Sequence, residues 1–234
     1  MFPKRVRWLE GRFANVDGIP FTMPVRTRTS PALFAGFTID PEAARAILPG
    51  QELHPCRIWN RGVLVLTVVN YIDTSIGRYV EFCIGVLCTR GLRPAPRLLP
   101  LAAIPVYGTG VYIYDLPVST EISVKGGRGI WGMAKRQANL DFVIGGDTVS
   151  SQYDLDGQIA VRIDIPKTSP RLPMYMKGMG YGDFRGMMTK SYVYMKGKMG
   201  FTVGGGGNTR LLVGDHPRMD PETDSRREDR ASPD

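Results

Sequence analysis

The chain has 234 residues, of which 43% are hydrophobic, and it carries a formal net charge of +8. This length and composition predict one large globular domain, and no run of about 18 apolar residues indicates a membrane-spanning helix. A charge of this size is common in nucleic-acid-binding proteins, but the basic residues are scattered and no zinc-finger or helix-turn-helix pattern is present. We therefore expect no nucleic-acid partner. A positive electrostatic field would instead attract a small anionic substrate.

The N-terminal part of the chain mixes turn signals with one strand and one helix. Residues 1–30 contain several prolines and an Asp-Gly turn at 17–18, so we expect irregular structure there. Residues 32–39 predict a strand. A short helix should follow, because Asp40 is a good N-cap and Pro41 fits the first helical position.

Strands dominate the rest of the chain. Residues 62–72 and 79–89 are rich in β-branched and apolar side chains, which predicts a hairpin buried on both faces. Further strands are predicted at 104–114, 118–124, 139–144, 149–154, 158–164, 190–202 and 208–213. The predicted fold class is therefore mostly β (α+β), an antiparallel barrel or cone with a few short helices.

The C-terminal segment differs from the rest in composition. Residues 218–234 are almost entirely charged or turn-forming and cannot bury apolar area, which predicts a disordered tail. The expected organisation is a single domain over residues 1–217, followed by this tail.

One stretch carries most of the information about chemistry. Residues 127–136 read Gly-Arg-Gly-Ile-Trp-Gly-Met-Ala-Lys-Arg, which we interpret as a glycine-rich turn followed by two adjacent cations. Neighbouring cations repel and an apolar wall disfavours the charged form of either, so Lys135 should lose its proton, because Arg136 cannot. A neutral lysine amine is a nucleophile toward a ketone or aldehyde carbonyl. Lys135 is therefore the predicted catalytic residue.

This stretch resembles the signature of the acetoacetate decarboxylase family, roughly Gly-Arg-Glu-aliphatic-aromatic-Gly-aromatic-Pro-Lys-Lys. That family is itself the standard example of a lysine activated in this way, and its first lysine forms a Schiff base with the substrate ketone. Lys135 matches that lysine, and Arg136 replaces the second. Residues 30–49, 73–81 and 204–217 resemble the family's N-terminal strand and helix, its Tyr-x-Glu hairpin and its closing strand.

The resemblance covers roughly residues 20–217 and implies several properties. It implies an acetoacetate decarboxylase-like β-barrel or cone, a small-molecule keto-acid substrate, no cofactor and an assembly of identical chains. It also implies that the carboxylate of Glu81 lies in the pocket.

Four further positions depart from the family pattern. They are Gly129 for an acidic residue, Ala134 for the proline, Ser30 for a pocket arginine and Thr67 for a second glutamate. The lysine is kept, so imine chemistry is expected, with decarboxylation as the parent reaction. An aldolase-dehydratase that uses the same lysine and a non-catalytic ligand-binding barrel are the alternatives.

The remaining candidate residues follow from the same pattern. Glu81 shares its strand face with apolar neighbours and needs a cationic partner, either Lys135 or Arg136, so it is predicted to act as a general acid/base or to hold Arg136. Arg136 either favours the neutral amine of Lys135 or binds a substrate carboxylate. The predicted substrate-binding residues are Arg128, Trp131, Met133 and Thr67.

The sequence indicates neither a metal site nor a secreted protein. His54 and Cys56 are too few for a zinc site. The three cysteines have no paired spacing, and no apolar run follows residues 1–5. We therefore expect a cytoplasmic protein.

Overall fold

The computed structural model describes residues 4–96, 104–184, 186–203 and 209–216. Its helices are α1 (Lys4–Trp8), α2 (Pro41–Ile47), α3 (Ile104–Tyr107) and α4 (Glu121–Trp131). Its strands are β1 (Arg12–Val16), β2 (Ile19–Met23), β3 (Ala32–Ile39), β4 (Leu53–Pro55), β5 (Gly62–Tyr71), β6 (Tyr79–Arg90), β7 (Gly110–Val118), β8 (Lys135–Gln137), β9 (Asn139–Leu140), β10 (Val143–Ile144), β11 (Thr148–Leu155), β12 (Gln158–Pro166), β13 (Leu172–Phe184), β14 (Met187–Met199) and β15 (Arg210–Val213). The predicted tail at 218–234 and residues 204–208 of the closing segment lie outside the described residues.

Most of the described chain forms two β-sheets. The main sheet has the strand order β14-β13-β7-β6-β5-β3, with β4 beside β6 and β8 beside β7. Its pairings are antiparallel except for those of β7 with β13 and with β8, which are parallel. The second sheet has the order β10-β11-β12-β15, with β9 beside β11, and β1 and β2 form a separate hairpin. The mostly β prediction is confirmed.

One face of the main sheet, which we call the core face, packs against the second sheet. Leu66, Val68 and Phe82 of the main sheet form one buried cluster with Tyr153 and Ile163 of the second sheet. Each of these side chains is at most 1% exposed. Apolar burial between the two sheets therefore stabilises this fold.

The opposite face of the main sheet, which we call the lysine face, carries Lys135, Glu81 and Thr67. Thr67 lies directly across from Cys83, which is two residues from Glu81 and shares its face. Lys135 pairs with Leu116 in the parallel ladder between β7 and β8. Helix α4 lies over this face, so the side chains there are held between a helix and a sheet.

The prediction for residues 118–132 was wrong. A strand is predicted at 118–124, but in the structure β7 ends at Val118. Helix α4 follows and runs through the segment interpreted as a glycine-rich turn. Glycine usually weakens a helix, but here close packing requires it. A Cβ at Gly126 would lie 2.7 Å from Phe21 Cε1, and one at Gly129 would lie 2.6 Å from Val16 Cγ1. Tertiary packing against the β1–β2 hairpin thus overrides local propensity.

Within residues 127–136, only Gly132 has the backbone conformation of a turn glycine, and it ends α4. Gly132 has a left-handed backbone with φ of 60°, and its N–H donates to the Arg128 carbonyl oxygen. Such a residue stops a helix because glycine adopts this conformation at little cost.

Two other predictions were wrong, and one strand was not predicted. Residues 1–30 are not irregular throughout, because they form α1 and the β1–β2 hairpin around the predicted Asp-Gly turn. The predicted strand at 104–114 begins as α3 and becomes a strand only at Gly110. Strand β13 was not predicted, because three glycines and Pro173 weaken its strand signal. It forms because it pairs with β14 along its whole length.

None of the helices within the described ranges is long and apolar enough to cross a membrane.

Candidate active site

Lys135 is a buried cation with a carboxylate partner. The residue is 5% exposed, and its Nζ lies 2.6 Å from Glu81 Oε2. The amine also donates a hydrogen bond to Ser123 Oγ at 3.1 Å, and it lies 5.5 Å from the centre of the Tyr79 ring. An unpaired buried charge is costly, so these contacts explain how an ammonium group is accommodated between helix and sheet. The structure thus brings the predicted lysine and glutamate together.

Helix α4 fits closely around the aliphatic part of Lys135. A Cβ at Gly127 would lie 2.4 Å from Lys135 Cδ and 2.9 Å from Cε, so glycine at this position makes room for the lysine chain. On the main chain, Arg128 Nε donates to the Lys135 carbonyl oxygen at 2.7 Å. The glycine and the arginine of the sequence motif therefore both act on the placement of Lys135.

Two tyrosines and a serine extend this network. The rings of Tyr71 and Tyr79 stack with their centres 4.5 Å apart, and the Tyr71 hydroxyl donates to Glu81 Oε1 at 3.5 Å. Interactions with the Ser123 and Tyr71 side chains lower the pKa of Tyr79, against the larger effect of burial. Burial, followed by the charge of Glu81, raises the pKa of both phenols. Burial and Glu81 likewise raise the pKa of the Cys83 thiol, so these groups stay neutral near pH 7.

Sequence reasoning gave no role to Tyr79, the tyrosine of the Tyr-x-Glu hairpin, and it missed Tyr71 and Ser123. A signal for Tyr71 was present, because a hairpin over 62–72 and 79–89 brings two tyrosines together near its turn. No signal pointed to Ser123, because the segment that contains it was predicted to be a strand.

Arg136 lies on the core face, opposite to Lys135. Successive side chains of a strand point to opposite faces, and β8 follows this rule. Arg136 Nε and Nη2 donate to Asp115 Oδ1 and Oδ2 at 3.0 and 2.6 Å, and the Tyr153 hydroxyl donates to Asp115 Oδ2 at 3.1 Å. Glu81 therefore pairs with Lys135 rather than with Arg136, and the charge of Arg136 is balanced by Asp115.

Asp115 was missed because it falls one residue beyond the predicted strand at 104–114. It is 4% exposed, which is unusual for a carboxylate and consistent with its bidentate bond to arginine.

The predicted substrate-binding residues fall in different places. Thr67 lies on the lysine face, and Trp131 is partly buried at the end of α4. Arg128 holds the Lys135 main chain. Met133 lines a small pocket together with Ile113, Ala134, Gly180, Gly182, Thr189 and Ser191. Among the side chains that the structure describes, no group of three or more His, Cys, Asp or Glu is placed to hold a metal ion.

Comparison with known proteins gives one family. The model of a family described as acetoacetate decarboxylase (ADC) matches residues 15–172. No protein in the curated set is significantly similar in sequence.

Solved structures of this fold are similar to the chain. An acetoacetate decarboxylase from Legionella pneumophila has a TM-score of 0.56 at 15% identity, over 82% of this chain and 74% of that one. A second acetoacetate decarboxylase structure has the same TM-score and identity, over 86% and 79%. An acetoacetate decarboxylase-like enzyme from Sphingomonas wittichii RW1 has a TM-score of 0.50 at 13% identity, over 83% and 81%. At these identities the likeness shows the fold, and it confirms the predicted acetoacetate decarboxylase-like architecture.

Proposed function

This chain belongs to the acetoacetate decarboxylase family, whose members are enzymes, and from that premise we propose that it is a Schiff-base-forming carbon–carbon lyase acting on a small keto acid. Decarboxylation, the parent reaction of the family, is the proposed chemistry. One observation carries the proposal: Nζ of the buried Lys135 lies 2.6 Å from Glu81 Oε2, on the face of the sheet that α4 covers. Amine and carboxylate are within proton-transfer distance of each other in a site largely shielded from water.

The pair supports a defined first step. Glu81 accepts a proton from the Lys135 ammonium, and the resulting amine attacks the substrate carbonyl carbon. Loss of water then gives a protonated imine, and Glu81 returns to the carboxylate form. The charge of Arg136 is balanced on the core face, so in this mechanism the proton acceptor Glu81, rather than a neighbouring cation, makes the amine available.

The protonated imine is the electron sink for the next step. The bond between the substrate carboxylate and its carbon breaks, its electron pair moves toward the imine nitrogen, and CO2 leaves. The enamine carbon then takes a proton that enters from solvent through Glu81. Water hydrolyses the new imine, which releases the ketone and restores the Lys135 ammonium. No cofactor is needed, because the lysine supplies the electron sink.

We assign the other residues by their positions. The proposed substrate contacts are Thr67 on the lysine face, Met133 in its small pocket and Trp131 at the end of α4. Arg128 and Arg136 are proposed to fix strand β8, since one holds its main chain and the other is bonded to Asp115.

An aldolase-dehydratase is the second candidate. Thr67, on the lysine face, offers a neutral hydroxyl where the family pattern has a glutamate. A neutral hydroxyl suits a substrate hydroxyl or carbonyl, and cleavage or dehydration of a hydroxylated keto acid begins from the same imine.

Reductive trapping tests the proposal. The protein is incubated with acetoacetate or pyruvate, reduced with borohydride and analysed by mass spectrometry. We expect an adduct on Lys135 and none in Lys135→Ala. Lys125→Ala is the matched control. Lys125 lies on α4 and is paired with Glu121 of that helix at 3.1 Å, so its removal should not affect trapping.

The outcomes separate the candidates. No adduct with either keto acid would contradict the imine and favour the non-catalytic ligand-binding barrel. An adduct with CO2 release supports decarboxylation, whereas an adduct without CO2 release supports aldol or dehydration chemistry.

We further propose that residues 1–217 act as one domain, that identical chains assemble, and that the protein works in the cytoplasm. Exposed Phe34, Met187 and Val193 provide apolar surface that assembly would cover. Light scattering of the purified protein measures the assembly directly, and a monomeric mass would contradict it.

A further inference from the structure

We propose that Ser123, Tyr79 and Tyr71 form a proton relay between the Lys135 amine and the far oxygen of Glu81, and that this relay moves a proton from nitrogen to oxygen while the imine forms. The inference rests on the proposed function, because it describes a step of the same Schiff-base reaction. It assigns roles to three hydroxyl groups to which the family signature gives none.

The five side chains lie in a ring around the amine. Lys135 Nζ donates to Ser123 Oγ at 3.1 Å. Tyr79 links Ser123 to Tyr71: its ring stacks on that of Tyr71 with the centres 4.5 Å apart, and interactions with both side chains lower its pKa against the larger effect of burial. The Tyr71 hydroxyl donates to Glu81 Oε1 at 3.5 Å. Glu81 Oε2 lies 2.6 Å from Nζ and closes the ring. The two carboxylate oxygens thus reach the same amine by two paths, one direct and one through three hydroxyls.

Imine formation poses a problem that such a ring solves. When the amine attacks the carbonyl, the nitrogen carries an extra proton and the oxygen on the same carbon carries a negative charge. Direct transfer between these two atoms would pass through a strained four-membered ring. An outside path that accepts a proton at nitrogen and delivers one at oxygen avoids this strain.

The relay balances at each step. Ser123 accepts a proton from the nitrogen, and each hydroxyl passes its own proton onward, so that Tyr71 delivers one to Glu81 Oε1. Glu81 was protonated when it activated Lys135, and it now gives the proton on Oε2 to the substrate oxygen. No hydroxyl gains or loses a proton overall. Glu81 then gives its remaining proton to the new hydroxyl group, which leaves as water.

Burial suits these hydroxyls to the task. Ser123 is 1% exposed and Tyr79 is 7% exposed, so water has little access to this side of the amine. A relay group must both accept and donate a proton, which a neutral hydroxyl does and an ionised one does not. Desolvation and the charge of Glu81 raise the pKa of Tyr71 and Tyr79, which keeps both phenols neutral.

The experiment measures how fast the adduct forms rather than only whether it forms. Wild type, Ser123→Ala, Tyr79→Phe and Tyr71→Phe are mixed with acetoacetate or pyruvate and quenched with borohydride at increasing times. We expect each variant to reach the wild-type extent of labelling on Lys135 at a rate lower by roughly 10²-fold, the scale of general acid–base catalysis. The extent is kept because a relay changes the barrier and not the equilibrium.

Two comparisons distinguish a relay from a packing effect. Links in one series fail together, so Ser123→Ala combined with Tyr79→Phe should be no slower than either single variant. Tyr181→Phe is the matched control, because it removes another buried phenol, one that donates to the Gly108 carbonyl on the core face, and it should trap at the wild-type rate.

Several outcomes would overturn the relay. These are wild-type rates in all three hydroxyl variants, multiplying losses in the double variant, or equal slowing in Tyr181→Phe. Failure of the proposed function looks different, because wild type itself would then form no adduct.

Discussion

At the scale of single residues, the site is defined by what surrounds the Lys135 amine. The direct partners are a carboxylate and a hydroxyl, and the neighbouring cation Arg136 points to the other face of the sheet. The lysine chain reaches this position because Gly127 has no side chain. A residue without functional groups is thus as necessary for the geometry as the charged ones.

The first prediction concerns Gly127→Ala. The added Cβ would lie 2.4 Å from Lys135 Cδ and must displace the lysine chain, which moves Nζ away from Glu81. A misplacement of about 1 Å costs on the order of 10²-fold in rate, so we expect a loss of that size in reductive trapping. Gly36→Ala is the control, because its Cβ would meet only Val63 Cγ1, at 3.9 Å. Trapping at the wild-type rate in Gly127→Ala would show that the lysine does not need this space.

At the scale of elements, β8 holds the catalytic candidate although it has only three residues, Lys135 to Gln137. Its backbone pairs with β7, and its middle side chain is bonded on the core face to Asp115. Because the strand is fixed from the core face, Lys135 is held on the lysine face under α4. The adjacent lysine and arginine have separate roles because strand geometry sends them in opposite directions.

The second prediction compares two ion pairs. In Asp115→Asn the buried Arg136 loses its compensating charge, and we expect a loss of about 3–5 kcal/mol in the free energy of unfolding. In Glu52→Gln the pair with Arg90 is lost, but these side chains are 44% and 46% exposed, so we expect a loss of about 0–1 kcal/mol. Urea denaturation measures both losses. Equal losses would argue against the proposal that the Arg136–Asp115 pair fixes β8.

Sequence reasoning succeeded where local chemistry decides the element. The hairpin predicted at 62–72 and 79–89 matches β5 and β6 to within one residue, because β-branched apolar runs favour strands. Helix α2 starts as predicted, with Asp40 Oδ1 accepting from the backbone N–H groups of Glu42 and Ala43. Helix α4 was not predicted, because its glycines are explained only by contacts distant in sequence.

At the scale of the whole molecule, the main sheet separates two functions. Its core face supplies the packing against the second sheet, and its lysine face carries the candidate site. Titratable groups with raised pKa values occur on both faces, because both exclude water.

The third prediction concerns alkaline pH. Burial raises the pKa of the Cys88 thiol from 9.0 to about 12, and the pKa values of Cys83, Tyr71 and Tyr79 are also raised. The folded chain retains these protons while the unfolded chain releases them. The stability contributed by Cys88 is therefore complete below about pH 9 and is lost as the pH rises from 9 to 12.

Thermal denaturation between pH 7 and 11 measures this effect. We expect the unfolding temperature to fall above about pH 9 and to fall less steeply in Cys88→Ala, which has no thiol to ionise. An identical pH profile in the variant would contradict the assignment, whatever its stability at pH 7.

The sequence by itself determined the mostly β class, the central hairpin and the family, and it named Lys135 and Glu81 as candidates. These follow from local strand propensity and from a motif in which residue types and spacing are sufficient. Only the tertiary structure decided that residues 121–131 form a helix, that Arg136 turns away toward Asp115, and that Ser123 and two tyrosines surround the amine. Those facts depend on which face of the sheet each side chain occupies and on what packs against it, and contacts between distant segments set both.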